Sequence, residues 1–275
     1  MPIKTILLHM ANDDAHASRL AVAAALARRF SAHVEALYIA TPVSMPAGAT
    51  GRAASYGYIA EATAIAHENA ERIEAEVSVA LDGVSHRWSV DEGDHVELLA
   101  ERATYADLAI VAQSAAERSG ERVPLHVPDR LPLATACPTL VLPPDQPATA
   151  PIGRNVLIAW KNGREATHAV RNAMPFLETA ESVTVLTVTP PGRRDGDGPA
   201  LVDWLGRHGI AAAQRTETAT GGGEVGDRIL STAADLGADL LVMGAYGHSR
   251  LRELVLGGAT RSVLAGMPLP TLMSH

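Results

Sequence analysis

Several residue types that define other classes of protein are scarce in this chain. A single cysteine, Cys137, cannot form an internal disulfide, so a disulfide-stabilised fold is excluded and a reducing compartment is favoured. Aromatic residues make up 4% of the chain although 47% is hydrophobic, so the core must consist mainly of Ala, Val, Leu and Ile. Such a core is typical of buried parallel strands that are covered by helices.

Positive charge and long apolar segments are lacking as well. The formal net charge is −8, whereas general nucleic-acid binders and proteins that bind anionic membranes need a basic face. No segment reaches the roughly 18 apolar residues of a membrane span, and the apolar run at the amino terminus is too short for a signal peptide. We therefore expect a cytoplasmic protein that binds neither nucleic acid nor membrane.

The 11 histidines show no paired metal-ligand spacing. We therefore predict no metal site. Most of the histidines, His86 and His95 included, are expected at the surface or in interfaces. Cys137 lies between a predicted helix and a predicted strand, so we interpret it as a small buried residue rather than a nucleophile. Asp13 and Asp14, which follow the first strand, are expected to cap a helix rather than to contribute an acid to a ligand site.

The chain contains a duplicated pattern of short apolar runs. The segments YADLAIVAQS and GADLLVMGAY align Asp107 with Asp239, and CPTLVLPP and LPTLMSH align Pro138 with Pro270, both at a separation of 132 residues. The segment PPDQPATAPIG, residues 143–153, has four prolines and no periodicity, which is typical of a linker. We predict two domains, residues 1–144 and 154–275, joined by a linker at 145–153.

Strand-like and helix-like segments alternate within each half. In the second half, apolar or β-branched runs at 155–160, 182–188, 240–243 and 270–273 are separated by segments with helical periodicity. The clearest helical stripe consists of Ala166, Ala169, Val170, Ala173, Met174 and Leu177. The first half repeats the pattern, with a loop-like insertion at 43–58 and a long predicted helix at 59–80. The alternation predicts an α/β fold with a doubly wound parallel sheet.

Glycines cluster after the run at 240–243, in the segment GAYGHSRLRELVLGGATRSVL. Ligands of a doubly wound sheet bind beyond the carboxyl ends of the strands, where this segment begins. Gly244 and Gly247 allow a tight turn and a close approach to a ligand. Gly257 and Gly258 precede a helical pattern whose free amides attract phosphate. The segment predicts a phosphate-binding loop; the alternative is that these glycines only form turns.

The spacing Gly244-x2-Gly247-x9-Gly257 resembles the ATP-binding signature of the universal stress protein family, which is glycine, two residues, glycine, nine residues, glycine, then serine or threonine. The resemblance covers nearly the whole chain, as two such domains in tandem. It implies two doubly wound domains, each with an open five-stranded parallel sheet flanked by helices. These would pack as a pseudo-dimer in which the final strands, 139–142 and 271–273, pair antiparallel.

The resemblance also implies a nucleotide site. The signature loop would hold the phosphates and the ribose, and the ends of the first two strands would hold the adenine. The residues so implicated are Ala159, Trp160, Val188, Met243, Gly244, Gly247, His248, Gly257, Gly258, Ala259 and Thr260. In the first half the aligned positions 112, 115, 125 and 126 hold no glycine, so nucleotide is expected in the second half alone.

Two positions depart from the family pattern. Gly258 stands where the signature has serine or threonine, although Thr260 follows closely, and Lys161 stands near the acidic residue that is usual after the first strand. Both changes argue against a tight ATP–magnesium site, so magnesium is expected to bind weakly or not at all. The resemblance implies a stress-response regulatory protein that binds ATP, ADP or AMP, without catalytic residues. A nucleotide-free interaction scaffold and a slow ATPase stay open as alternatives, as does homo-oligomerisation.

One further motif would predict a different kind of nucleotide site. The segment GGGEVG, residues 221–226, matches the G-x-G-x-x-G pattern of dinucleotide-binding proteins. That pattern belongs after the first strand of its unit, whereas here it follows the third. We interpret the segment as a flexible turn.

Overall fold

The computed structural model describes residues 2–40, 68–113, 126–144, 146–147, 149–192, 197–247 and 258–275. The predicted insertion at 43–58 and the first part of the predicted helix, residues 59–67, lie outside these ranges. Two predicted site residues, His248 and Gly257, lie outside them as well.

The described part of the chain alternates strands with helices. The strands are β1 Thr5–Met10, β2 His33–Ala40, β3 His86–Glu92, β4 Leu108–Ala112, β5 Thr139–Leu142, β6 Asn155–Ala159, β7 Ser182–Thr189, β8 Ala212–Thr218, β9 Leu240–Gly244 and β10 Thr271–Ser274. The helices are α1 His16–Phe30, α2 at 68–80, α3 His95–Ala103, α4 Val127–Ala134, α5 Arg164–Leu177, α6 Gly198–Arg207, α7 Gly222–Asp235 and α8 Ala259–Gly266. None of these helices is long and apolar enough to cross a membrane.

All ten strands belong to one sheet, in the order β3-β2-β1-β4-β5-β10-β9-β6-β7-β8. Neighbouring strands are parallel except at the centre, where β5 and β10 pair antiparallel and Leu140 lies opposite Leu272. The predicted α/β class is confirmed, and so is the predicted antiparallel pairing of the two final strands. The domain boundaries at 144 and 154 stay a prediction.

Apolar side chains cover both faces of the sheet, because successive residues of a strand point to opposite faces. On one face, α1, α2, α5 and α6 pack on Leu8 and Val156. On the other face, α3, α4, α7 and α8 pack on Leu7 and Leu157. Each layer contains residues of both halves of the chain, so both apolar layers continue across the junction of the two halves.

The two aligned aspartates have the same role in the two halves. Asp107 Oδ2 accepts hydrogen bonds from the backbone N–H groups of Lys4 (2.8 Å) and Thr5 (2.9 Å), where β1 begins. Asp239 Oδ1 accepts hydrogen bonds from the backbone N–H groups of residues 153–155, at 2.7, 2.9 and 3.1 Å, where β6 begins. A charged acceptor satisfies backbone donors that the sheet leaves unpaired. The aligned aspartates in the sequence therefore mark the same backbone-capping interaction in both halves.

The GGGEVG segment is helical, so its interpretation as a turn is wrong. Helix α7 begins at Gly222, so residues 222–226 of this segment belong to the helix. A Cβ at Gly226 would lie 2.5 Å from Cβ and 2.6 Å from Oγ of Ser262 in α8. The missing side chain therefore lets α8 pack closely against α7, which is a structural reason for this glycine.

Candidate functional site

The carboxyl ends of β6, β7 and β9 lie side by side at one edge of the sheet. Ala159 is in register with Leu186 of β7 and with Met243 of β9. Ala159, Val188 and Met243 all contribute to the apolar layer under α7 and α8. The structure therefore brings together three residues of the predicted nucleotide site, of which Ala159 and Val188 were predicted to flank the base.

Gly244 ends β9 against the start of α5. A Cβ at this position would lie 2.6 Å from the backbone nitrogen of Ala166 and 2.8 Å from the carbonyl carbon of Glu165. No side chain fits there, because those neighbours are backbone atoms that cannot move aside. Gly244 is thus required by packing, independently of any ligand.

Gly247 is exposed and has no comparable packing reason among the described residues. A Cβ there would meet Glu165 Oε2 at 3.4 Å, an ordinary contact with the flexible end of a side chain. The backbone φ of Gly247 is not in the left-handed region either. The packing of the described residues therefore does not explain why this position is a glycine. The close approach of a ligand to the backbone would explain it.

The start of α8 supplies backbone donors at the same edge. Gly258 is the N-cap residue, and no side-chain hydrogen bond caps the first turn within the described part of the chain. The Thr260 hydroxyl accepts a hydrogen bond from the backbone N–H of Tyr246 at 3.2 Å, which ties the turn after β9 to α8. The first-turn amides, Ala259 and Thr260 included, carry the positive end of the helix dipole, which favours anions.

Glu165 is a site residue that the sequence reasoning missed. It lies in the first turn of α5, its side chain is 18% exposed, and its carboxylate faces Gly247. Arg164 Nε lies 3.7 Å from Glu165 Oε1. The family pattern predicts the acid near Lys161, directly after β6, but the chain turns back into α5 and brings the later acid to Gly247. An acid in the first turn of the helix after the first strand is the signal that could have revealed it.

Trp160 lies on the other face of the sheet. Its backbone N–H donates to the carbonyl of Leu186 at 2.8 Å, and its ring packs with α5 and α6. The alternation of side chains at the end of β6 therefore separates Trp160 from Ala159 and Val188. The structure does not bring the predicted base-flanking residues Ala159 and Trp160 to one face.

In the first half, two imidazoles fill the corresponding edge. His9 aligns with Ala159, and its Nε2 lies 2.8 Å from Nδ1 of His95 at the start of α3. The rings meet edge to face, with centroids 5.1 Å apart, and both residues are 3% exposed. The expectation that His95 lies at the surface or in an interface is therefore wrong. The pair therefore stands at the edge of the first half that corresponds to the predicted base site of the second half.

Arg19 and Asp13 support this histidine pair. Arg19 Nε donates to the carbonyl of His9, and its terminal nitrogens bind both carboxylate oxygens of Asp13, at 3.0 and 2.8 Å. Asp13 also accepts a hydrogen bond from the N–H of Ala15, which is itself the N-cap of α1 and has no side-chain cap bond. The expectation that Asp13 caps the helix is therefore wrong, and its main partner is the buried guanidinium.

Burial keeps both imidazoles neutral near pH 7. It lowers the pKa of His9 well below the usual value, and the Arg19 charge adds to this effect. Burial also lowers the pKa of His95 to about 4, although Asp94 and Asp13 act in the opposite direction. Cys137 is buried as predicted, and burial raises the pKa of its thiol to about 12, so it is not a ready nucleophile. Within the described ranges, no cluster of three or more acidic, histidine or cysteine side chains is arranged to hold a metal ion.

Comparison with known proteins identifies the half that carries the loop. The model of the universal stress protein family matches residues 153–275. Residues 153–275 form a universal stress protein domain. A universal stress protein of Synechocystis sp. is 44% identical over 50 residues, which are 18% of this chain and 17% of that relative's length. The chain therefore spans a small part of this curated relative.

Solved structures show the same fold over the whole chain. A universal stress protein from Archaeoglobus fulgidus superposes with a TM-score of 0.75 and 16% identity, covering 98% of this chain and 94% of that one. A putative universal stress protein from Pseudomonas aeruginosa gives a TM-score of 0.60 and 17% identity, covering 98% and 92%. At these identities the likeness concerns the fold. The arrangement of the universal stress domain together with the first half is thus one that such structures share.

Proposed function

We propose that this chain is a stress-response regulatory protein that binds one adenine nucleotide at the carboxyl edge of β6, β7 and β9. The observation that carries the proposal is the start of α8, where no described side chain caps the first turn and where Thr260 is hydrogen-bonded to Tyr246. The next residue, Gly247, is a glycine that the described packing does not require. The family of the domain at 153–275 supports it. In the reducing cytoplasm, where we place the protein, its single buried cysteine would stay a thiol.

In this proposal, different parts of the nucleotide contact different elements. The adenine lies on the apolar surface of Ala159, Val188 and Met243, which share one face of the sheet. The phosphates lie at the amino end of α8, against the amides of Ala259 and Thr260. His248 and Gly257 belong to the same loop but lie outside the described residues.

One nucleotide per chain is expected because the two edges differ. The edge in the first half is filled by His9 and His95, two neutral rings in contact. Magnesium is not required in this proposal, and no catalytic residue is assigned. A nucleotide-free interaction scaffold is the second candidate, and the Glu165 carboxylate beside Gly247 favours it, because it repels phosphate.

Calorimetric titration of the full chain with ATP, ADP and AMP tests the proposal. We expect a stoichiometry near one, and we expect Gly247→Val to abolish binding, because a branched side chain would stand where the phosphates pass. Gly247 is the position of choice, because a side chain at Gly244 would collide with backbone and damage the fold. Gly206→Val is the matched control: nothing lies within 4 Å of a Cβ at this helical glycine.

Three outcomes would contradict the proposal in different ways. A stoichiometry of two would show that the imidazole pair does not close the first edge. Equal affinity of the parent and the Gly247 variant would show that the loop makes a turn and nothing more. No heat with any of the three nucleotides would favour the scaffold.

A further inference from the structure

The residue that follows β4 of the first half contacts α8 of the second half. Nε2 of Gln113 donates a hydrogen bond to the backbone carbonyl of Leu264 at 2.5 Å, across 151 positions of the chain. Gln113 is half-buried, whereas Leu264 is 5% exposed. The amides of the proposed phosphate site lie at the other end of the same helix. One side chain of the first half is therefore in direct contact with the element that would bind phosphate.

The Leu264 carbonyl needs a donor from outside its own helix. It lies in the last turn of α8, and the last carbonyls of a helix have no partner within that helix. The residue four positions further on is Pro268, which has no N–H group. The N–H of Met267 donates to the carbonyl of Val263, at 2.8 Å. Gln113 therefore supplies the donor that Pro268 cannot.

This contact cannot form in the opposite direction. At the separation of 132 residues that aligns the two halves, Gln113 corresponds to Ala245 and Pro268 corresponds to Ala136. An alanine side chain has no donor, so Ala245 cannot give the first half the hydrogen bond that Gln113 gives the second. The two halves therefore differ in a way that supports α8 alone.

The hydrogen bond restrains α8 along its own axis. Helix α4 of the first half contacts α8 and the adjoining strand β10, and Leu131 of α4 belongs to the same apolar layer as Leu264. Apolar packing of this kind has no direction. The carbonyls of a helix, by contrast, point roughly along its axis, because the peptide dipoles are aligned with it. A donor held at Leu264 therefore limits how far the amides at the other end of α8 can shift.

We infer that Gln113 is a positioning residue for nucleotide binding in the second half: its hydrogen bond to Leu264 holds α8 where the first-turn amides meet the phosphates. This inference rests on the proposed function. The half that lacks the glycine signature thus contributes to binding in the half that has it, although it takes up no nucleotide itself.

Two substitutions in the full chain separate hydrogen bonding from side-chain size. Gln113→Met keeps an unbranched side chain of similar length but removes the donor, whereas Gln113→Lys keeps a donor. The measurements are calorimetric titration with ATP and hydrogen exchange of the α8 amides without nucleotide. For Gln113→Met we expect the α8 amides to exchange about threefold to tenfold faster, and the ATP dissociation constant to rise by a similar factor. Gln113→Lys should stay within about twofold of the parent in both measurements, because its ammonium group can donate to a carbonyl at a helix carboxyl end.

Asp107→Ala is the matched control, because it removes hydrogen bonds at the opposite end of β4. It should lower the midpoint of urea unfolding and leave the ATP dissociation constant unchanged. An equal loss of ATP affinity in this control would show that general destabilisation is responsible, and an equal loss in Gln113→Lys would show that side-chain size is. Either result would overturn the inference.

The two measurements also distinguish this inference from the proposed function. If the parent binds ATP and Gln113→Met binds it equally well, the inference is wrong and the proposed function stands. If the parent gives no heat with ATP, the proposed function fails, and Gln113 has no nucleotide site to position. Unchanged exchange of the α8 amides in Gln113→Met would overturn the inference whether or not ATP binds.

Discussion

Acidification should destabilise this protein through one buried contact, that between His9 and His95. In the unfolded chain each imidazole takes up a proton near pH 6.5. In the folded chain the pKa of His9 lies well below that value and the pKa of His95 is about 4. Between pH 6.5 and about 4 the unfolded state therefore binds more protons. The stabilising contribution is complete above pH 6.5 and is lost as the pH falls through this interval.

The magnitude follows from the number of protons. Each histidine that stays neutral in the folded state costs about 1.4 kcal/mol per pH unit below its unfolded pKa. Between pH 7 and pH 5 this amounts to about 2 kcal/mol per histidine, or about 4 kcal/mol for the pair. Because small domains have total stabilities of about 5 to 15 kcal/mol, this loss is large enough to measure.

Urea unfolding at pH 7, 6 and 5, followed by circular dichroism, measures the effect. The comparison is with a double variant, His9→Leu with His95→Leu, which replaces both partners by apolar side chains and leaves no orphan in the pair. Its stability should fall by about 4 kcal/mol less than that of the parent over the two pH units. Leu99→Ala is the matched control: this fully buried residue lies on α3 with His95, and its loss should cost about 2–5 kcal/mol at every pH.

The comparison isolates the pair because all other titrating groups are common to the three proteins. If parent and double variant lose the same stability between pH 7 and 5, the two imidazoles are not held neutral, and the explanation is wrong. A pH dependence that also changes in the Leu99 variant would show that loosened packing, not proton uptake, is responsible.

Three further predictions concern the loop, the repeated aspartates and the central strands. Removing magnesium with a chelator should change the ATP dissociation constant by less than about tenfold. Glu165→Gln should tighten metal-free ATP binding about threefold to tenfold, because it removes a charge that repels phosphate. If ATP binding instead depends on magnesium and this variant loses that dependence, Glu165 is a metal ligand. Asp239→Ala should lower the free energy of unfolding by about 2–3 kcal/mol. Asp107→Ala should lower it by less, because it leaves two backbone amides without an acceptor whereas Asp239→Ala leaves three. Equal losses of the two variants in urea titrations would contradict this. Residues 151–275 expressed alone should dimerise or aggregate, because the apolar edge of β10 loses its partner β5; a folded monomer at high concentration in sedimentation would refute the prediction.

The sequence predicts the elements whose signal is local and repeated. The helical stripe at 166–177 identifies α5 because its residues follow one face, and five of the six predicted members are buried. The alignment of Asp107 with Asp239 predicts a shared role because both copies need an acceptor where a strand begins. The resemblance predicts the joint between β5 and β10, which no local pattern could indicate.

The features that the sequence did not reveal depend on contacts between distant segments. Gly226 indicates a turn by its type, and only the approach of Ser262 shows that it serves helix packing. In the sequence, His95 has the pattern of a polar residue at the start of a surface helix. Its burial depends on its contact with His9, which is 86 residues away. Glu165 lies four residues beyond the position at which the family pattern predicts an acid, and the path of the chain into α5 brings it to Gly247.

The antiparallel pairing of β5 and β10 at the centre of the sheet gives the molecule two unlike ends, although its sequence is duplicated. Because the strands of the two halves run in opposite directions, the two carboxyl edges lie at opposite ends of the sheet. One end is closed by an imidazole pair, whereas the other has glycines and helix amides. Two identical subunits would repeat every substitution at both ends. Covalent linkage removes that constraint, so one copy can keep glycines and helix amides at its edge while the other places imidazoles there, and any partner that docks at an end meets an unlike surface at each.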